Sequence, residues 1–312
     1  MTAFSVCVNA VLPIFFLMAL GCLARHLGAI QRSDVPKLNK LLFRFFMPVM
    51  LFYNIYTSDL SSAVQPKLLI FAACGVLIEF FLSLAYVMLT EKETSKRGVK
   101  IQGIYRSNFV IIGLPLATAL VPGADAGPVV VLIAVVVPMF NAIAVVTLEL
   151  FNGNRPKPLT IVADIFKNPL ILGTIVGIAF LLLGIQLPEA LLSTTKQIAA
   201  ATNPMLLFML GAFFQWGSIH RYVKDLVEVV LGRLVIMPGI ALSAAYLLGI
   251  RGIAFAGMIG IFGSATAIAS FTMVQQMGGD DELAGDIVVS TSALCCFTMF
   301  AWSLLFKTLG VF

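Results

Sequence analysis

Charge is scarce in this chain. Of its 312 residues only 11% are Asp, Glu, Lys or Arg, whereas 60% are hydrophobic and the mean hydropathy is +1.02. That balance lies far outside the composition of soluble domains. The net charge of +5 does not imply a nucleic-acid partner, because that would call for a basic face on a soluble domain. Histidine is nearly absent too: His26 and His220 are far apart in sequence and suggest no zinc site. The five cysteines, Cys7, Cys22, Cys74, Cys295 and Cys296, all fall within apolar runs without C-x-x-C spacing. Neither a disulfide framework nor a metal site follows, and they read as packing residues. No nucleotide-binding motif is present, so ATP hydrolysis is not expected, and no cofactor is expected beyond a coupling proton or sodium ion. The opening MTAFSVCVNAVLP lacks the basic n-region of a cleavable signal, so the first apolar segment reads as a retained span.

What the chain does have is long apolar runs. Stretches such as FAACGVLIEFFLSLAYVML and VVVLIAVVVPMFNAIAVV approach the roughly 20 residues that cross a bilayer as a helix. They are continuously apolar rather than alternating, which excludes a barrel. Ten spans are expected, at about 5–25, 38–57, 67–90, 101–122, 127–152, 168–186, 195–216, 222–249, 253–277 and 282–308. The fold class is therefore an all-α polytopic membrane protein, placed in the cell (inner) membrane. Fourteen of the twenty basic residues sit in the loops after spans one, three, five and seven or at the span ends that border them. By the positive-inside bias those loops are inside and both termini outside.

The two halves match. A shift of 156 positions superimposes Pro13 on Pro169, Gly21 on Gly177, Gly28 on Gly184 and Pro48 on Pro204, and sets PVMLF on PMLLF. Two five-span repeats follow, 1–152 and 160–312, joined by an inside linker at 153–159. An odd span number inserts the second copy upside down, and inverted repeats mark secondary transporters.

Within this apolar chain the run RSNFVIIGLP, residues 106 to 115, is anomalous. Pro115 removes a backbone donor and Gly113 tolerates dihedrals that a helix refuses, so span four is expected to break near Gly113. Unwound backbone at membrane depth is tolerated only when buried in protein or lining an aqueous cavity. The same shift brings Asn108 onto Ser264, in IGIFGSATAIASF of span nine, where Ser264, Thr266 and Ser270 replace bulky residues but no proline occurs. If both spans break, two half-helix N-termini direct their positive dipole ends at one point, an arrangement suited to an anion. Arg106 is costly in a span and calls for a cavity or a partner, or reaches back to the interface. Asn141, mid-span after Pro138, needs partners that a ligand or the broken backbone supplies. Glu79 is a candidate for proton coupling, the alternative being an ion pair with Arg106 or Arg233.

RSNFVIIGLPLA, VPMFNAIAVVTLE and GGDDELAGDIVVSTSAL together resemble the auxin efflux carrier family, in its compact bacterial branch of malonate and malate carriers. The resemblance implies a ten-helix fold of the sodium/proton antiporter and bile-acid symporter type, with broken helices 4 and 9 crossing. It further implies a dimerising scaffold of helices 1, 2, 6 and 7, and a transport unit of helices 3–5 and 8–10 moving as an elevator. Asn108, Gly113 and Pro115 match the family's crossover motif and Asn141 its polar position on span five. The second crossover usually carries a proline, and Ala265 stands there instead. The expected function is secondary transport of a small organic anion, a mono- or dicarboxylate. Alternatives are an auxin-like or other amphipathic weak-acid exporter, an intramembrane enzyme built on Asp280, Asp281 and Glu282, and a non-transporting receptor.

Overall fold

The computed structural model describes residues 3–57, 65–151 and 165–312. The expected linker at 153–159 lies outside the described residues. Among the described residues every regular element is a helix. In chain order these are α1 (Ala3–His26), α2 (Val35–Leu41), α3 (Met47–Tyr56), α4 (Pro66–Thr90), α5 (Thr94–Tyr105), α6 (Leu114–Leu120), α7 (Gly127–Phe151) and α8 (Pro169–Leu183). The rest are α9 (Glu189–Phe213), α10 (Trp216–Arg221), α11 (Val223–Leu231), α12 (Met237–Leu247), α13 (Gly252–Gly263), α14 (Ala269–Met277) and α15 (Asp281–Thr308). Wide π turns join α2 to α3 over Leu42–Phe46 and α11 to α12 over Gly232–Ile236, and another, Phe109–Gly113, leads into α6. Among the described residues four helices are long and apolar enough to cross a membrane: α4, α7, Val223–Leu247 and α15.

Helix α4 shows how the sequence sets this architecture. Its buried residues Leu68, Ala72, Val76, Glu79, Ser83 and Val87 recur every three or four positions and so form one stripe along the helix. The opposite face leaves Ile70, Phe81 and Leu89 exposed. An apolar outer face of that kind suits lipid rather than water. Helix α8 is punctuated locally. The Asn168 side chain accepts a hydrogen bond from the Leu170 N–H at 3.0 Å, Pro169 opens the first turn, and Gly184 closes the helix at φ 64°. These are the usual start and stop residues of a helix.

Close backbone approach fixes how the helices pack. A Cβ on Gly21 of α1 would collide with the Phe208 carbonyl of α9. A Cβ on Gly177 of α8 would fall 3.2 Å from the Phe52 Cα of α3. Shifting by 156 positions exchanges these two contacts. Small residues at such crossings let helices approach closely where lipid supplies no hydrophobic drive.

Two helices are interrupted. α5 ends at Tyr105 and Arg106 is extended, at φ −88° and ψ 119°; α13 ends at Gly263 and Ser264 is extended, at φ −76° and ψ 163°. Ser107 and Thr266 pair as an antiparallel bridge. The Asn108 N–H donates to the Ala265 carbonyl at 2.8 Å, and the Ala267 N–H to the Arg106 carbonyl at 3.2 Å. Each unwound segment thus satisfies backbone groups of the other, which buried backbone requires.

The expected position of the first break needs correction. Gly113 is helical, at φ −75° and ψ −43°, and the interruption lies at Arg106–Asn108 instead. Pro115 sits in the opening turn of α6, after a π turn that begins just beyond the break. Its missing N–H is therefore spent near a helix start, where proline is tolerated. Gly113 is small for another reason: a Cβ there would lie 2.6 Å from the Gly260 Cα of α13. The register at the crossing also shifts, because the two bridge hydrogen bonds exchange under a shift of 159, which sets Asn108 against Ala267 rather than Ser264.

Candidate functional site

A cavity of about 80 Å³ lies against this crossing, several times the space one water needs. Arg106 to Ile111 form one wall and Ala267, Ile268 and Ala269 another. These segments are the N-terminal ends of the two second half-helices, Phe109–Leu120 and α14. Their first N–H groups lack intrahelical acceptors and carry the positive end of the helix dipole. Both positive ends therefore border one small cavity. Met47, Met50, Leu51 and Asn54 of α3 and Asn203 of α9 face them.

Arg106 supplies a full positive charge. It is 3% exposed, and its guanidinium is held by neutral groups. Nη2 donates to Asn141 Oδ1 at 2.6 Å; Nη1 donates to Gln102 Oε1 at 3.1 Å and to the Ser270 hydroxyl at 3.4 Å, and contacts Met273 Sδ at 2.9 Å. The ion pairs among the described residues do not include it. Asn141 is held in turn, donating Nδ2 to the Val137 carbonyl at 2.9 Å. Asn108 is 8% exposed, and its Nδ2 finds no partner among the described residues. Among the described residues, then, a buried charge lacks a counter-ion and a buried donor lacks an acceptor, and the cavity wall they form is short of negative partners.

Of the residues singled out in the sequence, Arg106, Asn108 and Asn141 line the cavity together, and Ser270 touches it through Arg106. Thr266 belongs to the bridge; its hydroxyl donates to the Gly103 carbonyl at 2.8 Å and its N–H to the Thr291 hydroxyl at 3.2 Å. Ser264 offers its carbonyl to Arg233 at 2.8 Å. Gly113 packs on α13, and Pro115 is exposed. Glu79 lies elsewhere. One of its oxygens meets Arg233 Nη1 at 3.4 Å, and the residue borders a separate apolar groove of about 300 Å³ between α4 and α12. Asn54 and Asn203 were not singled out, although an amide inside an apolar run is the same signal that marked Asn141.

A family model described as a membrane transport protein matches residues 6–303. The chain belongs to this membrane transport family, that of the auxin efflux carriers. Two relatives extend the comparison over nearly the whole molecule. An "Uncharacterized transporter" of Methanothermobacter thermautotrophicus is 20% identical over 298 residues, 95% of this chain and 97% of that protein. A "Putative malonate transporter" of Rhizobium meliloti is 22% identical over 296 residues, 93% of this chain and 92% of that protein. The carrier is thus a multi-pass membrane transport protein, and the helix crossing with its cavity lies inside the matched region.

Proposed function

We propose that this carrier is a secondary transporter of a small organic anion, a mono- or dicarboxylate such as malonate or malate, working by elevator-type alternating access. The observation that carries the reading is Arg106, a buried cation without a carboxylate partner among the described residues, set beside two half-helix N-termini at one cavity. A carboxylate matches both features, since guanidinium and helix N-terminus each favour an anion. The name of the Rhizobium relative points the same way.

An inverted five-helix repeat underlies the proposal. It draws support from the exchanged contacts of Gly21 with Phe208 and Gly177 with Phe52, and from the paired bridge hydrogen bonds. Carriers of this construction bind substrate near the midplane where broken helices meet. In the proposed division, α4 to α7 and α11 to α15 form the transport unit, and α1 to α3 with α8 and α9 the scaffold of a homodimer. The cavity lies on the seam: Arg106, Asn108 and Asn141 come from the first unit, Asn54 and Asn203 from the second. Both termini lie outside the inner membrane. The acidic turn that an enzyme would need for a metal is already engaged. Asp280 accepts from the Tyr222 hydroxyl at 2.8 Å, Asp281 from Gln275 at 3.0 Å, and Glu282 pairs with Arg32 at 2.6 Å.

The test is uptake of radiolabelled malonate and malate into proteoliposomes holding the purified protein. The proposal expects saturable uptake that unlabelled dicarboxylate displaces. Uptake no greater than in protein-free vesicles, for both compounds and under imposed gradients of pH and potential, would contradict it.

A further inference from the structure

The N-terminal halves of the two broken helices end where the crossing begins, and both of their C-terminal ends meet one side chain. Arg233, in the Gly232–Ile236 turn, is fully buried at 0% exposure. Its Nη1 donates to the carbonyls of Ile104 at 3.3 Å and Tyr105 at 3.0 Å, at the end of α5. Nη2 donates to the Ile261 carbonyl at 2.8 Å and Nε to the Ser264 carbonyl at 2.8 Å, at the end of α13. Glu79 Oε2 lies 3.4 Å from Nη1. Four main-chain carbonyls and a carboxylate from α4 thus converge on one guanidinium.

The last carbonyls of a helix lack intrahelical donors and form the negative end of its dipole. Brought together at membrane depth, two such ends need a cation, and in broken-helix carriers unwound carbonyls and half-helix C-termini bind the coupling ion. Here a covalently attached cation already fills that place. Arginine stays protonated in proteins and offers five donors in a planar fork, which suits carbonyls arriving from two helices. A sodium ion entering the same cluster would find those oxygens engaged and a like charge at its centre. Glu79, in turn, serves as the counter-ion of Arg233.

We infer that Arg233 is a built-in cation standing where a coupling sodium ion would bind, so that this carrier has no sodium site at its helix crossing. The inference deepens the transport reading above, but the occupancy of the carbonyl cluster is measurable without transport. The experiment compares melting temperatures of the purified full-length protein in sodium chloride and in choline chloride at equal ionic strength. The wild type is expected to melt at the same temperature in both. Arg233→Ala vacates the cluster; it is expected to melt lower in choline and to regain stability selectively in sodium. Arg233→Lys keeps a cation in place and is expected to ignore sodium.

The inference is overturned by a wild type that sodium stabilises over choline, by an Arg233→Ala protein that melts like the wild type, or by one indifferent to sodium. Should Arg233→Ala not fold, the wild-type and Arg233→Lys measurements decide alone. Malonate uptake by the wild type with sodium or choline outside adds a second readout, with equal rates expected and sodium-dependent uptake overturning the inference. Absence of malonate uptake in both media would remove malonate as substrate and leave the melting result standing.

Discussion

Arg106 and Arg233 are both buried, yet they stand in opposite circumstances. Arg233 meets a carboxylate and four carbonyls, whereas Arg106 meets two amide oxygens, a hydroxyl and a thioether beside open space. The first is satisfied by the fold; in the proposed function the second takes the ligand. Replacing Arg106 with Lys keeps the charge but loses the bidentate fork. A charged hydrogen bond is worth about 1.5–3 kcal/mol, so malonate affinity is expected to fall roughly ten- to a hundredfold. Titration calorimetry on the purified variant checks this, and an unchanged affinity would remove Arg106 from the site. Arg106, Asn108 and Asn141 were legible because polar side chains inside an apolar span demand a reason. The partner of Glu79 was legible only as an alternative, since nothing local in VLIEFFLSL distinguishes Arg106 from Arg233.

At the scale of the element, the breaks are tertiary features. The segment 106–108 unwinds because its N–H and C=O groups pair with 265–267 across an antiparallel bridge. Gly113 and Pro115 drew attention to the correct helix but to the wrong turn of it, seven residues late. In span nine the same bridge makes an interruption without proline, since the pairing and the small side chains suffice. The helix ends with local chemistry, such as Asn168, Pro169 and Gly184, were readable directly. Gly113 packs directly on Gly260 where the second half of span four meets the first half of span nine. A Cβ on Gly260 would lie 2.8 Å from the Gly113 Cα. Overpacking of this kind costs about 1–3 kcal/mol, so Gly260→Ala is expected to lower the melting temperature in detergent. A variant that melts with the wild type would show that the two half-helices are not in backbone contact.

At the scale of the whole molecule, the chain's composition and its apolar runs established a multi-pass helical protein, because lipid leaves few other options for satisfying the backbone. What composition does not encode is the seam. Arg32 of the segment before α2 pairs with Glu282 of α15 at 2.6 Å, and Asn39 donates to Gln275 at 2.7 Å. Residues more than 230 positions apart in sequence are thereby joined, a relation that no local pattern signals. The same is true of Asn54 and Asn203, which reach the cavity only because α3 and α9 pack beside the crossing. The architecture therefore gathers amides from both proposed units around one guanidinium that has no ion-pair partner among the described residues.

The most direct test of that arrangement is a structure of the carrier determined with malonate bound. The account predicts ligand density in the cavity between Arg106 and the helix starts at Phe109 and Ala269, with a carboxylate oxygen within hydrogen-bond distance of the guanidinium and of Asn108 Nδ2. Density for malonate at the groove beside Glu79, or anywhere else while the cavity at the crossing stays empty of it, would contradict the account.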